Sequence, residues 1–172
     1  MTTVLVGEPP AEIQSWLDRR RALGQDGFDE VWEGVYHVAP MAHGRQGRTA
    51  AELAAVLRGP AKAAGLRGSS PINIGTRNDY RVPDWAFLRT SETALWNPTA
   101  AIVVEIVSPG DESREKLGFY FAVGVEEVLI VDPLERTVEW FVRGTDAFVA
   151  APGSDLLGIT AARLHADIEW PD

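Results

Sequence analysis

The stretch "TAAIVVEIVSPGDESREKLGFYFAVGVEEVLIVDP" constrains this chain more than any other. It holds two largely apolar runs, "AIVVEIV" at residues 101–107 and "EEVLIVDP" at 126–133, with an amphipathic segment between them. The first run reads as a strand buried on both faces, and the second as another apolar strand. The segment between them carries Leu117, Phe119, Tyr120 and Val123, which predicts a helix over residues 112–123 that ends at Gly124. Strand, helix, strand is a crossover unit, so the two strands should lie parallel or nearly so. One residue breaks the apolar character of the first run, and it is Glu105. A buried carboxylate without a partner costs several kcal/mol or takes up a proton. Glu105 must therefore face a polar cleft or meet a cation supplied from elsewhere in the chain.

The remaining segments fit an α/β arrangement with a mixed central sheet. "PPAEIQSWLDRRRALG" predicts a first helix, opened by Pro9 and Pro10, closed near Gly24, with Ile13, Trp16 and Leu17 on one face. "FDEVWEGVYHVAP" alternates around a turn at Glu33 and Gly34 and reads as one or two strands. "GRTAAELAAVLRGPAKAAG" predicts a strong helix with Leu53, Val56 and Leu57 facing inward, ended or kinked by Pro60. "LRGSSPINIG" and "RVPDWAFLR" follow as strands, with Pro83 implying an edge or a bulge near Asp84. "RTVEWFVRG" is a further alternating strand, "AFVAAPGSDLLG" an edge strand, and "ITAARLHADIEWPD" a short closing helix and tail. No repeat or linker interrupts the chain, so residues 1–172 are expected to form one domain, with residues 1–27 as an N-terminal helical extension.

Composition narrows the functional classes. No apolar stretch approaches the roughly 20 residues that cross a bilayer, and "MTTVLVGEPP" lacks the basic start of a signal peptide. The chain has no cysteine, which excludes disulfides and thiolate metal sites and suits a cytoplasmic protein. His37, His43 and His165 lack the spacing of a zinc site. The net charge of −9 argues against tight nonspecific binding of nucleic acid. The charge is uneven, however. Residues 45–81 hold seven bases and two acids, whereas residues 105–139 hold nine acids and three bases. A basic segment beside an acidic one can hold a polyanion over a metal site, or it can be two solvated surfaces of opposite sign.

Three residues carry the candidate chemistry. Asp84 and Glu105 lie in predicted strands, and Lys116 lies on the predicted helix that follows. Two carboxylates on neighbouring strands can share Mg²⁺, or Mn²⁺ in its place, which fills its remaining positions with waters and phosphate oxygens. A nearby lysine can orient the attacking water or help to deprotonate it, and the metal stabilises the developing charge. The chain has 14 arginines and only two lysines, Lys62 and Lys116, so a lysine near the acids stands out. Lysine exchanges protons and arginine does not. The plain alternative is a solvated Lys116 paired with Glu112 one helical turn earlier.

"WEGVYHVAP", "VPDWAFLR" and "VVEIVSPGDESREKLGFYFAVGVEEVLIVDP" together resemble the PD-(D/E)XK nuclease superfamily, and most closely its Uma-two family, described as putative restriction endonucleases. The resemblance covers the chain from about Phe28 onward. It implies a restriction-endonuclease-like mixed central sheet flanked by helices, and a Mg²⁺-dependent endodeoxyribonuclease in which Asp84 and Glu105 bind the metal and Lys116 positions the water. In the usual superfamily pattern the lysine stands two residues after the acid. Val107 occupies that position here, so the lysine must come from the helix. Family members also tend to carry a histidine at the start of the basic helix, where this chain has Gln46, with His43 three residues earlier.

Other residues are candidates for lesser roles. Glu33 could complete a metal shell from the N-terminal half. Glu112 could orient Lys116 or bind a second metal. Arg48, Arg58 and Lys62 lie on one predicted helix face and could track a DNA backbone. A homodimer that cuts DNA is the expected assembly. The rival reading is a non-catalytic protein-binding or regulatory module on the same fold, which the acidic net charge favours.

Overall fold

The computed structural model describes residues 9–39, 44–90, 94–110 and 112–171, together with the backbone of residues 3–5. In chain order the elements are β1 (Thr3–Leu5), α1 (Ala11–Ala22), β2 (Glu30–Trp32), β3 (Val35–Val38), α2 (Gly44–Ala63), β4 (Arg67–Ser69), β5 (Asn73–Thr76), β6 (Asp79–Arg81), β7 (Trp85–Leu88) and β8 (Trp96–Asn97). They continue with β9 (Ile102–Ile106), α3 (Leu117–Ala122), β10 (Glu127–Asp132), β11 (Thr137–Arg143), β12 (Phe148–Ala151), β13 (Gly153–Ser154), β14 (Ile159–Thr160) and α4 (Ala161–Asp167).

The two apolar runs form the centre. β9 and β10 pair in parallel with α3 as their crossover, as the strand–helix–strand pattern predicts. Antiparallel neighbours extend this mixed sheet in the order β12-β11-β10-β9-β7-β4. Ile102, Val104 and Ile106 of β9 pack with Leu53 and Leu57 of α2 and Leu164 of α4. Val103, together with Val128 and Ile130 of β10, faces the other way, toward Tyr120 of α3 and Ile74 of β5. Both faces are thus covered, which is why these strands read as continuous apolar runs.

A second six-stranded sheet, ordered β1-β3-β2-β6-β5-β8, lies beyond the expected central one. Its strands are two to four residues long and carry many polar side chains. The chain passes from one sheet to the other through Val82, Pro83 and Asp84, between β6 and β7. Proline has no N–H to give a ladder, so a crossing point suits it.

Two helices depart from the sequence pattern. α2 runs through Pro60 as far as Ala63. Pro60 forgoes the bond to the preceding turn, but Leu57 and Ala61 on either side of it are 1 % and 2 % exposed, and their burial holds the helix together. α3 is shorter than expected. Residues 112–116 instead form successive turns, with Glu115 N–H donating to Glu112 O and Lys116 N–H to Ser113 O. The segment "ESREK" has no apolar side chain to bury, and the α-helix begins where Leu117 supplies one.

Candidate active site

Strand alternation places Glu105 on the Val103 face of β9, between the central sheet and α3, where the residue is 3 % exposed. Its partner comes from the start of α3. The Lys116 ammonium donates to Glu105 Oε1 at 3.2 Å and lies 3.4 Å from Oε2. One turn into the helix, the Tyr120 hydroxyl also donates to Oε1. The cation sought for the buried acid is therefore Lys116, and the solvated pairing of Lys116 with Glu112 is not what the fold adopts. The Lys116 side chain is only 12 % exposed.

Asp84 reaches the same region from the crossing segment. Trp85 pairs with Val104 across β7 and β9, and one residue beyond that pair Asp84 Oδ2 accepts from the Ile106 N–H at 2.7 Å. Its other oxygen accepts from Gln46 Nε2 at 2.6 Å. Gln46 stands in the first turn of α2, so this side chain ties the basic helix to the candidate acid. His43 lies outside the described residues.

A third carboxylate completes the group, and sequence reasoning passed over it. Glu30 of β2 accepts from Lys116 Nζ at 2.9 Å through Oε1. Glu33, the acid singled out in this region, is exposed in the turn after β2 with φ +50°, and its N–H donates to Asp79. Glu112 also lies apart from Lys116, with Oε2 4.0 Å from His37 Nδ1. The signal for Glu30 was present in "FDEVWEGV", where an acid sits within an alternating strand, much as Glu105 does.

The electrostatics follow from burial. Desolvation pushes the Glu105 carboxyl up to about 8, against the pull of Lys116 and with the Asp84 and Glu30 charges adding to the rise. Burial works against the Lys116 charge, yet the Glu105 and Glu30 carboxylates outweigh it and hold the ammonium well above its ordinary value. Lys116 is a fixed cation here. Burial and the Glu105 charge likewise raise the Tyr120 hydroxyl, so it remains a donor. The Glu105 and Glu30 carboxylates thus flank one ammonium, and the Asp84 charge acts on Glu105 beside it. Among the described residues no group of three or more histidine, cysteine or acidic side chains closes into a ready metal cage.

The profile of the Uma2 family, described as "Putative restriction endonuclease", matches residues 16–158, a span that contains Glu30, Asp84, Glu105 and Lys116. The chain belongs to the Uma2 family. A solved structure titled as a putative nuclease belonging to DUF820, from Anabaena variabilis, matches with a TM-score of 0.64 and 17 % identity, over 81 % of this chain and 90 % of the other. At that identity the likeness is one of fold, and it supports the nuclease-like architecture. No curated protein matches the chain.

In this Uma2 protein the basic residues expected to face DNA sit apart from the acids. Arg48, Arg58 and Lys62 are exposed on the outer side of α2, opposite the buried Thr49, Leu53, Leu57 and Ala61. Arg48 lies 3.5 Å from Glu169, in a solvated pair. Arg81, one of the seven bases of residues 45–81, is buried and lies 4.5 Å above the Trp32 ring. Arg67 and Arg77 line a cleft of about 970 Å³ that none of Glu30, Asp84, Glu105 or Lys116 reaches. No helix among the described residues is long and apolar enough to cross a membrane.

Proposed function

We propose that this Uma2 protein is a divalent-metal-dependent endodeoxyribonuclease, with Asp84 and Glu105 as metal ligands and Lys116 as the residue that positions the attacking water. The observation that carries the reading is that an acid from a sheet-crossing segment lies against the buried strand of a second acid, and that this second acid holds a buried ammonium. The donor set fits Mg²⁺ or Mn²⁺. It offers hard carboxylate oxygens and an excess of negative charge over the single ammonium, and with two protein ligands the ion keeps places for waters and phosphate oxygens. Such an ion lowers the pKa of water and stabilises negative charge on a phosphoryl group.

The side chains divide the remaining work. The Ile106 N–H and Gln46 hold Asp84 from two sides. Tyr120 fixes the orientation of Glu105. Lys116, kept cationic, donates a hydrogen bond to the water and opposes the charge that builds on the phosphate oxygens, and it does not take the proton itself. The Val103 and Ile130 side chains form a dry wall on this face. A low-dielectric wall strengthens each of these electrostatic contributions.

Isothermal titration with Mn²⁺ tests the ligand assignment. The wild-type protein is expected to bind the ion, and Asp84→Asn and Glu105→Gln are each expected to abolish that binding. Unchanged binding in both variants contradicts the assignment.

A further inference from the structure

We propose that Glu30 is the positioning residue of this site: it anchors the Lys116 ammonium and the backbone that carries Asp84, so that Lys116 can yield Glu105 to a cation without losing its counter-charge. The proposal rests on the roles of Asp84, Glu105 and Lys116 given above.

Glu30 Oε1 accepts from Lys116 Nζ at 2.9 Å and from the Val82 N–H at 2.7 Å. Glu30 Oε2 accepts from Trp32 Nε1 at 2.6 Å. The side chain is 9 % exposed, so these donors replace water almost entirely. Val82 and Pro83 lead directly to Asp84 where the chain changes sheets. One carboxylate of β2 therefore fixes two parts of the site that lie far from it in sequence, 86 residues away at Lys116 and 52 at Val82.

Lys116 is held more closely by Glu30 than by Glu105, at 2.9 Å against 3.2 and 3.4 Å. The two acids are not equivalent in what they have left to offer. Glu30 is occupied by a backbone N–H and an indole N–H besides the ammonium. Glu105 is occupied by one hydroxyl besides the ammonium. An ammonium with Glu105 as its sole partner would compete with any cation for that carboxylate, and displacing it would strand a buried charge. A second carboxylate behind it removes that conflict. Glu30 is itself held in place, because Trp32 stacks on His37 at 4.4 Å and 16° while the Arg81 guanidinium covers the indole. Packing that locks the supporting partner is what gives a positioning residue its precision.

A kinetic cycle and a spectroscopic measurement test the proposal. With Mg²⁺ and plasmid DNA, Glu30→Gln and Lys116→Ala are each expected to lower kcat by about tenfold or more while KM moves little. The double variant should be no slower than Lys116→Ala alone, because the amide oxygen in Glu30→Gln still accepts from the Val82 N–H and only the counter-charge to that lysine is lost. Losses that multiply in the double variant overturn the proposal and leave the role of Lys116 standing. Wild-type kcat in Lys116→Ala overturns the role of Lys116, and this proposal with it. The second measurement needs neither turnover nor substitution at Glu30. In wild-type protein saturated with Mg²⁺, the Lys116 ¹⁵Nζ resonance should keep its scalar coupling across the hydrogen bond to the Glu30 carboxylate carbon and lose the coupling to Glu105. Retained coupling to Glu105 with loss of that to Glu30 overturns the proposal.

Discussion

Glu105 carries a burden that shows in the metal-free protein. Its carboxyl is pushed up to about 8 from 4.5, so the folded state holds a proton that the unfolded chain releases. The stability this proton confers is complete below pH 4.5 and is lost as pH rises through about 8. Burial lowers the His37 pKa from 6.5, which gives the opposite slope, but only at lower pH. The raised Lys116 pKa keeps its contribution intact until well above pH 9. Between pH 7 and 9 in EDTA, stability is therefore expected to fall by about 1 kcal/mol, or about 2–4 °C in melting temperature for a chain of this size. Glu105→Gln should flatten that slope, and calorimetry at several pH values checks it. An equal slope in the variant contradicts the account. At this scale the sequence was half legible. An acid inside an apolar run announced Glu105, and the scarcity of lysine announced Lys116. A polar "ESREK" segment gave no sign that Lys116 would be drawn inward, because its two carboxylate partners lie 11 and 86 residues away.

Among the elements, α2 serves two ends of the problem. Its first turn brings Gln46 to Asp84, and its outer face presents Arg48, Arg58 and Lys62. The inner face was readable from Leu53, Val56 and Leu57, but the passage through Pro60 was not, because it depends on the burial of Leu57 and Ala61 against the central sheet. If the outer face tracks a phosphate backbone, reversing Arg58 and Lys62 to glutamate removes two contacts. DNA binding measured by fluorescence anisotropy should weaken evenly across sequences, and the log–log salt slope should shrink by about 2. Binding and salt slope unchanged in the double reversal would place the DNA elsewhere. The Val82, Pro83 and Asp84 segment was legible in part. Proline marked an irregularity, yet the change of sheet there follows from pairings made elsewhere in the chain.

Across the whole molecule, the two apolar runs and the crossover between them were plain in the sequence because both faces of the central sheet are covered. The second sheet was not, since strands as short and polar as Asn73–Thr76 and Asp79–Arg81 carry little periodicity and take their place from neighbours. The net charge of −9 also overstates what a polyanion would meet. Of the acids in residues 105–139, Glu105 and Glu127 are buried, and Glu127 spends its oxygens on Trp140 Nε1 and the Leu156 N–H. The most direct test of the account is cleavage of supercoiled plasmid, with wild-type protein and Glu105→Gln side by side in Mg²⁺, in Mn²⁺ and in EDTA. The account predicts nicked and linear DNA from the wild type with either metal, none in EDTA, and none from the variant. Intact plasmid from the wild type in both metals, or undiminished cutting by Glu105→Gln, would contradict it.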